Sequence, residues 1–356
     1  MSIKNSCVFV LGFAAFGCAL DAAEPTSEVA DVEPALNAGN LSYEQIDITF
    51  GPPEYDFWGP AGLSDAREVY GTGVDCNEDF TLCEFDLLKV GADGQFSVAL
   101  ADFSPSEVNG PGDVGGCVID NESGAGQAAV YHANGALELI PRLPGELSSC
   151  IVQMSDSGTA VVFSVDENFV FSQYVLRGNQ NLALPVDAEV TDVNDQGVVT
   201  GIVSTDAGFR AFRFDSRNQT NTILQPVAPD PHSWGLGINQ KGEVLGYSFE
   251  FDATERIGKW NRQNQFQTSF VEGTPEFPTI SNQLNWNEDG FIVISNAPTD
   301  GKTFVIPKPG VRLDLADLVG DAVVPLTLVA IDVNERADFV ATSLDDGTSQ
   351  LYLRTH

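Results

Sequence analysis

Seven times along this chain an apolar residue precedes Asn or Ser, two mostly polar residues and a glycine-like position follow, and a short apolar run closes the unit. The segments are Leu63–Gly71 (LSDAREVYG), Val108–Gly116 (VNGPGDVGG), Met154–Val162 (MSDSGTAVV) and Val193–Gly201 (VNDQGVVTG). Ile238–Gly246 (INQKGEVLG), Trp286–Ile294 (WNEDGFIVI) and Val333–Ala341 (VNERADFVA) continue the series. Asn or Ser falls at 64, 109, 155, 194, 239, 287 and 334, at intervals of 45, 46, 39, 45, 48 and 47 residues. Repeats of this period mark solenoids or propellers.

The N-x-x-G core reads as a hairpin turn. Asn bonds the backbone two residues on, and Gly supplies left-handed backbone. Asn109 with Gly112, Asn194 with Gly197, Asn239 with Gly242 and Asn287 with Gly290 fit it, and Asn334 opens the last turn. The strand after the turn ends on Gly71, Gly116, Gly201, Gly246 or Ala341 in five units. Glycine inside a strand marks close backbone approach, which we expect at a crowded ring axis. A third strand is expected at 209–214 and 255–260, and a fourth at 136–143 and 222–227. Four short strands per unit make a propeller blade.

Seven such units occupy the whole of residues 41–356. The expected fold is therefore all-β, a seven-bladed β-propeller. The 39-residue interval leaves a six-bladed ring as the alternative. The last unit holds three strands, and Ser42–Phe50 (SYEQIDITF) alternates in the manner of a fourth before Pro52 and Pro53 stop it. Pairing this strand with the last blade closes the ring and hides an edge. A solenoid would need polar caps.

The best copies, Val193–Gly201 followed by Ala211-Phe212-Arg213-Phe214 and Ile238–Gly246 followed by Gly258-Lys259-Trp260, resemble the bacterial extracellular HAF repeat family. That family's units run apolar-N-x-x-G-x-V-V-G and then A-F-x-W. Arg210 stands where the family's His is expected. The resemblance implies an exported repeat protein and a propeller. It implies no reaction and no ligand.

Residues 1–18 read as an export signal, with Lys4 before the apolar stretch Cys7–Phe16. Ala15-Phe16-Gly17-Cys18 resembles a lipobox, which would lipidate Cys18; cleavage near Ala19 is the other route. Residues 19–40, acidic and free of basic residues, read as a disordered tether. Both routes place the mature protein outside the cytoplasm: extracellular, periplasmic or lipid-anchored at the envelope. No later apolar run is long enough for a transmembrane span.

Charge narrows the partners. Lys+Arg total 17 against Asp+Glu 51, a net of −34, which excludes nucleic acid as a partner. Cys76, Cys83, Cys117 and Cys150 form an even set, read as disulfides in an exported protein. Cys76 and Cys83 bracket a hairpin tip and are paired, leaving Cys117 with Cys150. Zinc is disfavoured by scattered His132, His232 and His356 and the lack of CxxC.

Candidate chemistry is sparse. Asn285, Asn287 and Asp289 resemble the start of a calcium loop, but Asn296 stands where its closing Glu belongs. Calcium is the one cofactor the pattern admits. A triad around Asp230, His232 and Ser233 is disfavoured because no G-x-S-x-G elbow is present. Trp260 and Trp286 fall at repeat positions and are assigned to the core; Trp58 and Trp234 lie in loop-like contexts and are the ligand-contact candidates. The leading expectation is a non-catalytic binding or scaffold protein for a protein or glycan ligand. The alternatives are a polysaccharide-active hydrolase or lyase and a calcium-stabilised structural module.

Overall fold

The structure is a computed structural model. It describes residues 41–355 apart from 49–54, 56, 78–82, 92–95, 122, 185–187, 251–253, 274–283, 288–289, 296–301, 309–310, 321, 323, 325–327 and 344–347. The export signal, Cys18 and the tether lie outside the described residues.

Among the described residues twenty-eight strands form seven four-stranded antiparallel sheets, so the ring has seven blades and not six. Blade 1 is β2 (Phe57–Leu63), β3 (Val69–Cys76), β4 (Cys83–Val90) and β5 (Phe96–Leu100). Blade 2 is β6 (Phe103–Val108), β7 (Val114–Ile119), β8 (Gly126–Tyr131) and β9 (Leu137–Leu139). Blade 3 is β10 (Glu146–Met154), β11 (Ala160–Asp166), β12 (Phe171–Arg177) and β13 (Gln180–Ala183). Blade 4 is β14 (Ala188–Val193), β15 (Val198–Thr205), β16 (Gly208–Asp215) and β17 (Thr220–Leu224). Blade 5 is β18 (His232–Ile238), β19 (Val244–Phe249), β20 (Thr254–Trp260) and β21 (Phe266–Gly273). Blade 6 is β22 (Leu284–Trp286), β23 (Ile292–Ile294), β24 (Phe304–Lys308) and β25 (Val311–Asp314). Blade 7 joins β26 (Leu328–Val333), β27 (Phe339–Ser343) and β28 (Ser349–Arg354) to β1 (Tyr43–Ile48).

The first strand of each blade touches the first strands of both neighbouring blades, and β26 touches β2, so these seven strands wall the axis. The N-terminal strand completes the last blade, in register from Tyr43 opposite Arg354 to Ile48 opposite Ser349.

The core is not one mass. Seven apolar clusters form, one at each blade-to-blade interface. Val161 and Val175 pack toward blade 4, while their neighbours Val162 and Tyr174 pack toward blade 2. A second strand buried on both faces is mostly apolar and does not alternate, and its buried polar residues, such as Thr200 and Ser248, are hydrogen-bonded. The closing interface has the same construction: Ile48, Val340, Leu351 and Leu353 meet Leu63, Val69, Leu88 and Val90.

The turns carry a second, polar ring. At all seven, the fourth residue has positive φ: Arg67 at 65°, Gly112 at 90°, Gly158 at 77°, Gly197 at 73°, Gly242 at 72°, Gly290 at 84° and Ala337 at 61°. The Asn side chain has two roles. Its oxygen accepts from the amide four residues on, as from Asp113 (2.8 Å), Val198 (3.0 Å), Glu243 (2.9 Å), Phe291 (3.0 Å) and Asp338 (3.0 Å). Its nitrogen reaches the equivalent carbonyl of the next blade. Asn109 donates to Ser155 O (3.3 Å), Asn194 to Asn239 O (2.9 Å), Asn287 to Asn334 O (3.1 Å) and Asn334 to Ser64 O (3.1 Å). The last of these joins blade 7 to blade 1. Asn239 instead bonds Glu243 within its own turn (3.1 Å). Ser64 and Ser155 keep only the inward role, accepting from Glu68 N (3.2 Å) and Thr159 N (3.3 Å). Arg67 adds an ion pair across the closing interface, to the fully buried Asp338 (2.9 Å).

The small residues expected to end the second strands lie inside them, since each strand runs on past its small residue, and their cause differs from the one expected. Gly71, Gly116, Gly201, Gly246 and Ala341 lie opposite β-bulges in the first strands. A Cβ on Gly201 would meet Glu189 O at 1.9 Å, and one on Gly246 would meet Trp234 O at 1.9 Å. The crowding comes from the blade's own bulged strand, not from the ring axis.

Both disulfides form as expected. Cys76–Cys83 clips one hairpin, and Cys117–Cys150 staples blade 2 to blade 3.

Two outcomes follow for urea unfolding. Asn334→Ala should lower stability by about 3 kcal/mol, because it strands the Ser64 carbonyl and the Asp338 amide at the closing interface. Replacing Cys117 and Cys150 with Ser should cost about 2–4 kcal/mol and exceed the cost of the same change at Cys76 and Cys83, since the sequence separations are 33 and 7.

Candidate functional site

One position per blade stands two residues before the turn Asn or Ser: Gly62, Glu107, Gln153, Asp192, Gly237, Asn285 and Asp332. In six blades a bulge immediately precedes it. A bulge re-aims the following side chain, and these side chains gather at the axis.

Two of the carboxylates bridge blades. Asp332 accepts from Val333 N (2.7 Å) and from Leu63 N of blade 1 (2.8 Å). Asp192 accepts from Val193 N (2.7 Å) and from Ile238 N of blade 5 (2.6 Å). Glycine stands next to each receiving amide for a steric reason. A Cβ on Gly62 would meet Val108 Cβ at 2.7 Å and Asp332 Oδ2 at 3.1 Å, and one on Gly237 would overlap the Trp286 indole at 2.0 Å.

A second tier of acids lines the mouth, at the position after the turn residue. Asp65 accepts from Glu335 N (3.2 Å), Asp156 from Gly110 N (2.7 Å) and Asp195 from Ser157 N (2.6 Å). A Cβ on Gly110 would come within 2.8 Å of Asp65 and 3.0 Å of Asp156, so the missing side chain lets the two carboxylates flank it. The resulting pocket, about 130 Å³, is lined by Glu107, Asp156, Asp192, Gln240, Trp286 and Glu335 among others. Among its described lining residues there are four carboxylates and no Lys, Arg or His.

The charges respond to this enclosure. Burial, followed by the nearby Asp332 and Asp192, pushes the Glu107 carboxyl well above the usual range. Burial lifts Asp332 to about 6, against its two backbone hydrogen bonds and with help from Asp65 and Asp156. Burial also raises Asp156, with Asp195 and Asp65 adding to it. The mouth thus gathers carboxyls whose charged forms are disfavoured by burial and by one another.

Other candidate residues are dispersed. Trp58 and Trp234 lie on β2 and β18 rather than in loops, half-buried against the clusters around Leu88 and around Leu245 and Phe249. Their strand settings come from the bulged first strands, which the Pro- and Gly-rich flanks disguise. Trp260 is buried and donates to Gln225 O (2.9 Å). Trp286, assigned to the core, is half-buried and forms part of the pocket wall. The triad does not assemble. Ser233 donates to Leu224 O (2.8 Å) and accepts from Ala211 N (3.0 Å), while Asp230 takes Ser248 (2.7 Å) and Arg256. Burial and the neighbouring Arg210 hold the His232 imidazole below its ordinary pKa. Of the calcium candidates, Asn285 belongs to the axial tier and donates to Ala330 O (2.8 Å), Asn287 is a turn latch, and Asp289 lies outside the described residues. Among the described residues no group of three His, Cys, Asp or Glu is placed to hold a metal, and no helix is long and apolar enough to cross a membrane.

Sequence reasoning passed over Glu107 and Asp332 and did not connect Asp192 with them. Their signal was an acid interrupting an apolar strand at a fixed offset from the turn.

No family model matches the chain, and no curated protein matches it. Solved structures do. Virginiamycin B lyase from Staphylococcus aureus matches at 8% identity and TM-score 0.50, over 88% of this chain and 99% of that one. The β-propeller domain of the Trilobed protease from Pyrococcus furiosus matches at 8% and 0.51, over 84% and 97%. An acylaminoacyl peptidase matches at 11% and 0.52, over 88% of this chain and 51% of that one. At such identities the likeness shows the propeller fold alone.

The raised acids make stability depend on pH. A carboxyl that binds its proton more tightly when folded stabilises the fold below its unfolded pKa, near 4, and that contribution is lost as pH rises through its folded value. For Asp332 the window runs from about pH 4 to 6. The melting temperature should fall between pH 4.5 and 7. Glu107→Gln should raise it at pH 7.5 and flatten the dependence; an unchanged profile would contradict the assignment.

Proposed function

We propose that the protein is an exported, non-catalytic binding or scaffold protein of the HAF-repeat type, acting outside the cytoplasm or at the cell envelope. Its axial mouth receives a cationic group carried by a protein partner. The observation that carries this reading is the pocket wall, to which Glu107, Asp156, Asp192 and Glu335 contribute four carboxyl groups. Such a pocket focuses a negative field and favours Lys or Arg side chains. The resemblance in the repeat motif supports export, and the net charge of −34 supports selection of basic partners.

The polysaccharide-active alternative calls for acids together with an Arg or His at one mouth. The described Arg210–His232–Arg256 group lies elsewhere, since His232 begins β18 while the pocket residue Ile238 ends it. That separation favours binding over catalysis.

A fluorescent Lys/Arg-rich peptide should bind the purified protein, more weakly as salt rises. The pair Glu107→Gln and Asp192→Asn should weaken it at least tenfold. Sustained turnover of an extracellular polysaccharide, or binding indifferent to both substitutions, would contradict the reading.

A further inference from the structure

The far end of blade 3, opposite the acidic mouth, carries an apolar projection that the fold does not require. The hairpin between β11 and β12 turns through Asp166-Glu167-Asn168-Phe169-Val170. It has the construction of the axial turns: Asp166 Oδ1 accepts from Asn168 N (2.8 Å) and Val170 N (2.9 Å), and Phe169 N donates to Asp166 O (2.9 Å). The fourth residue again takes positive φ, 60° at Phe169. The other non-glycine residues with positive φ among the described ones are Arg67, Asp102, Gln219, Asn264 and Ala337, all polar or small. A bulky aromatic is disfavoured in this backbone region.

Phe169 gains no burial in return. It is 71% exposed, followed by Val170 at 58% and Phe171 at 54%, with Leu147 on the adjoining strand end at 44%. Phe171 is braced by stacking on Phe163, with ring centroids 5.6 Å apart. Leu147 sits in the bulge between Glu146 and Ser148. Four of the eight large hydrophobics that are exposed among the described residues therefore share one tip. A strained, outward-facing aromatic beside an apolar patch is a binding feature rather than a packing one.

We infer that this tip is a docking wedge for a protein partner that presents an apolar cleft rimmed by Lys or Arg. Charge complementarity selects this occupant. Glu167 and Asn168 hold the two exposed corners of the same turn, so the Glu167 carboxylate stands in solvent beside Phe169. A cationic rim would meet the Glu167 carboxylate while the cleft takes Phe169 and Phe171. A bilayer fits poorly, because inserting Phe169 would drag the Glu167 carboxylate into hydrocarbon. A second copy fits poorly as well. The patch offers on the order of 400–500 Å², short of the roughly 800 Å² per partner of a stable complex, and each copy carries −34.

The test is selection of phage-displayed random peptides on the purified protein, followed by affinity measurement with synthetic peptides from the enriched pool. Peptides that pair an aromatic or aliphatic residue with Lys or Arg are expected. Phe169→Gly should weaken them at least tenfold while the urea midpoint stays the same or rises, because glycine relieves the backbone strain. Phe171→Ser should also weaken them. Binding lost in Glu107→Gln/Asp192→Asn but retained in Phe169→Gly would report the axial pocket and overturn the wedge. So would an empty selection, a Phe169→Gly variant that unfolds more readily, flotation with phosphatidylcholine vesicles, or a dimer in sedimentation that Phe169→Gly abolishes.

Discussion

The side-chain amide of the turn asparagine is the interaction on which this ring depends. Its oxygen shapes the turn of its own blade, and its nitrogen holds the next blade's turn at the matching height. A single residue type therefore makes both the local hairpin and the blade-to-blade register. Buried amides that satisfy both roles cannot slide, since any slip would leave polar backbone unpaired away from water. The apolar clusters supply adhesion between blades but little register, because Val, Ile and Leu side chains tolerate displacement. The polar ring specifies the arrangement that the apolar packing stabilises.

The axis follows from the same construction. In six blades a bulge precedes the equivalent first-strand position, and across the seven blades the chain places three carboxyls, two amides and two glycines at that position. Asp192 and Asp332 are partly satisfied by amides of the next blade, so they also join blades, while Glu107 is held near them with its proton affinity raised. Keeping like charges together in a confined channel opposes folding at neutral pH. The binding proposal rests on this gathering of carboxyl groups at the mouth.

Much of the fold was legible in the chain. The turn motif recurs at Asn109, Asn194, Asn239, Asn287 and Asn334, and its period accounts for seven blades. The alternation in Ser42–Phe50 anticipated the strand that completes blade 7. The bulges were not legible. One inserted residue leaves no compositional mark, so Gly201 and Gly246 read as axial crowding when they accommodate carbonyls of their own blade. Trp58 and Trp234 were misplaced for the same reason, since bulged strands rich in Gly and Pro look like loops. The axial acids were hidden because turn residues attract attention and the strand residue two places earlier does not. In a chain with 51 acids, only the spatial ring separates Glu107, Asp192 and Asp332 from the rest.

If the latches at four of the seven interfaces, together with the apolar clusters at all seven, couple the ring, no blade can open alone. Native-state amide hydrogen exchange reads this directly at Asp113, Val198, Phe291 and Asp338, whose amides are held by the Asn oxygens of four different blades. The account predicts one common opening free energy for these amides, equal to that of global unfolding and falling with denaturant at the global slope. Separate opening energies that differ from blade to blade would contradict it and would describe a stack of independently stable repeats.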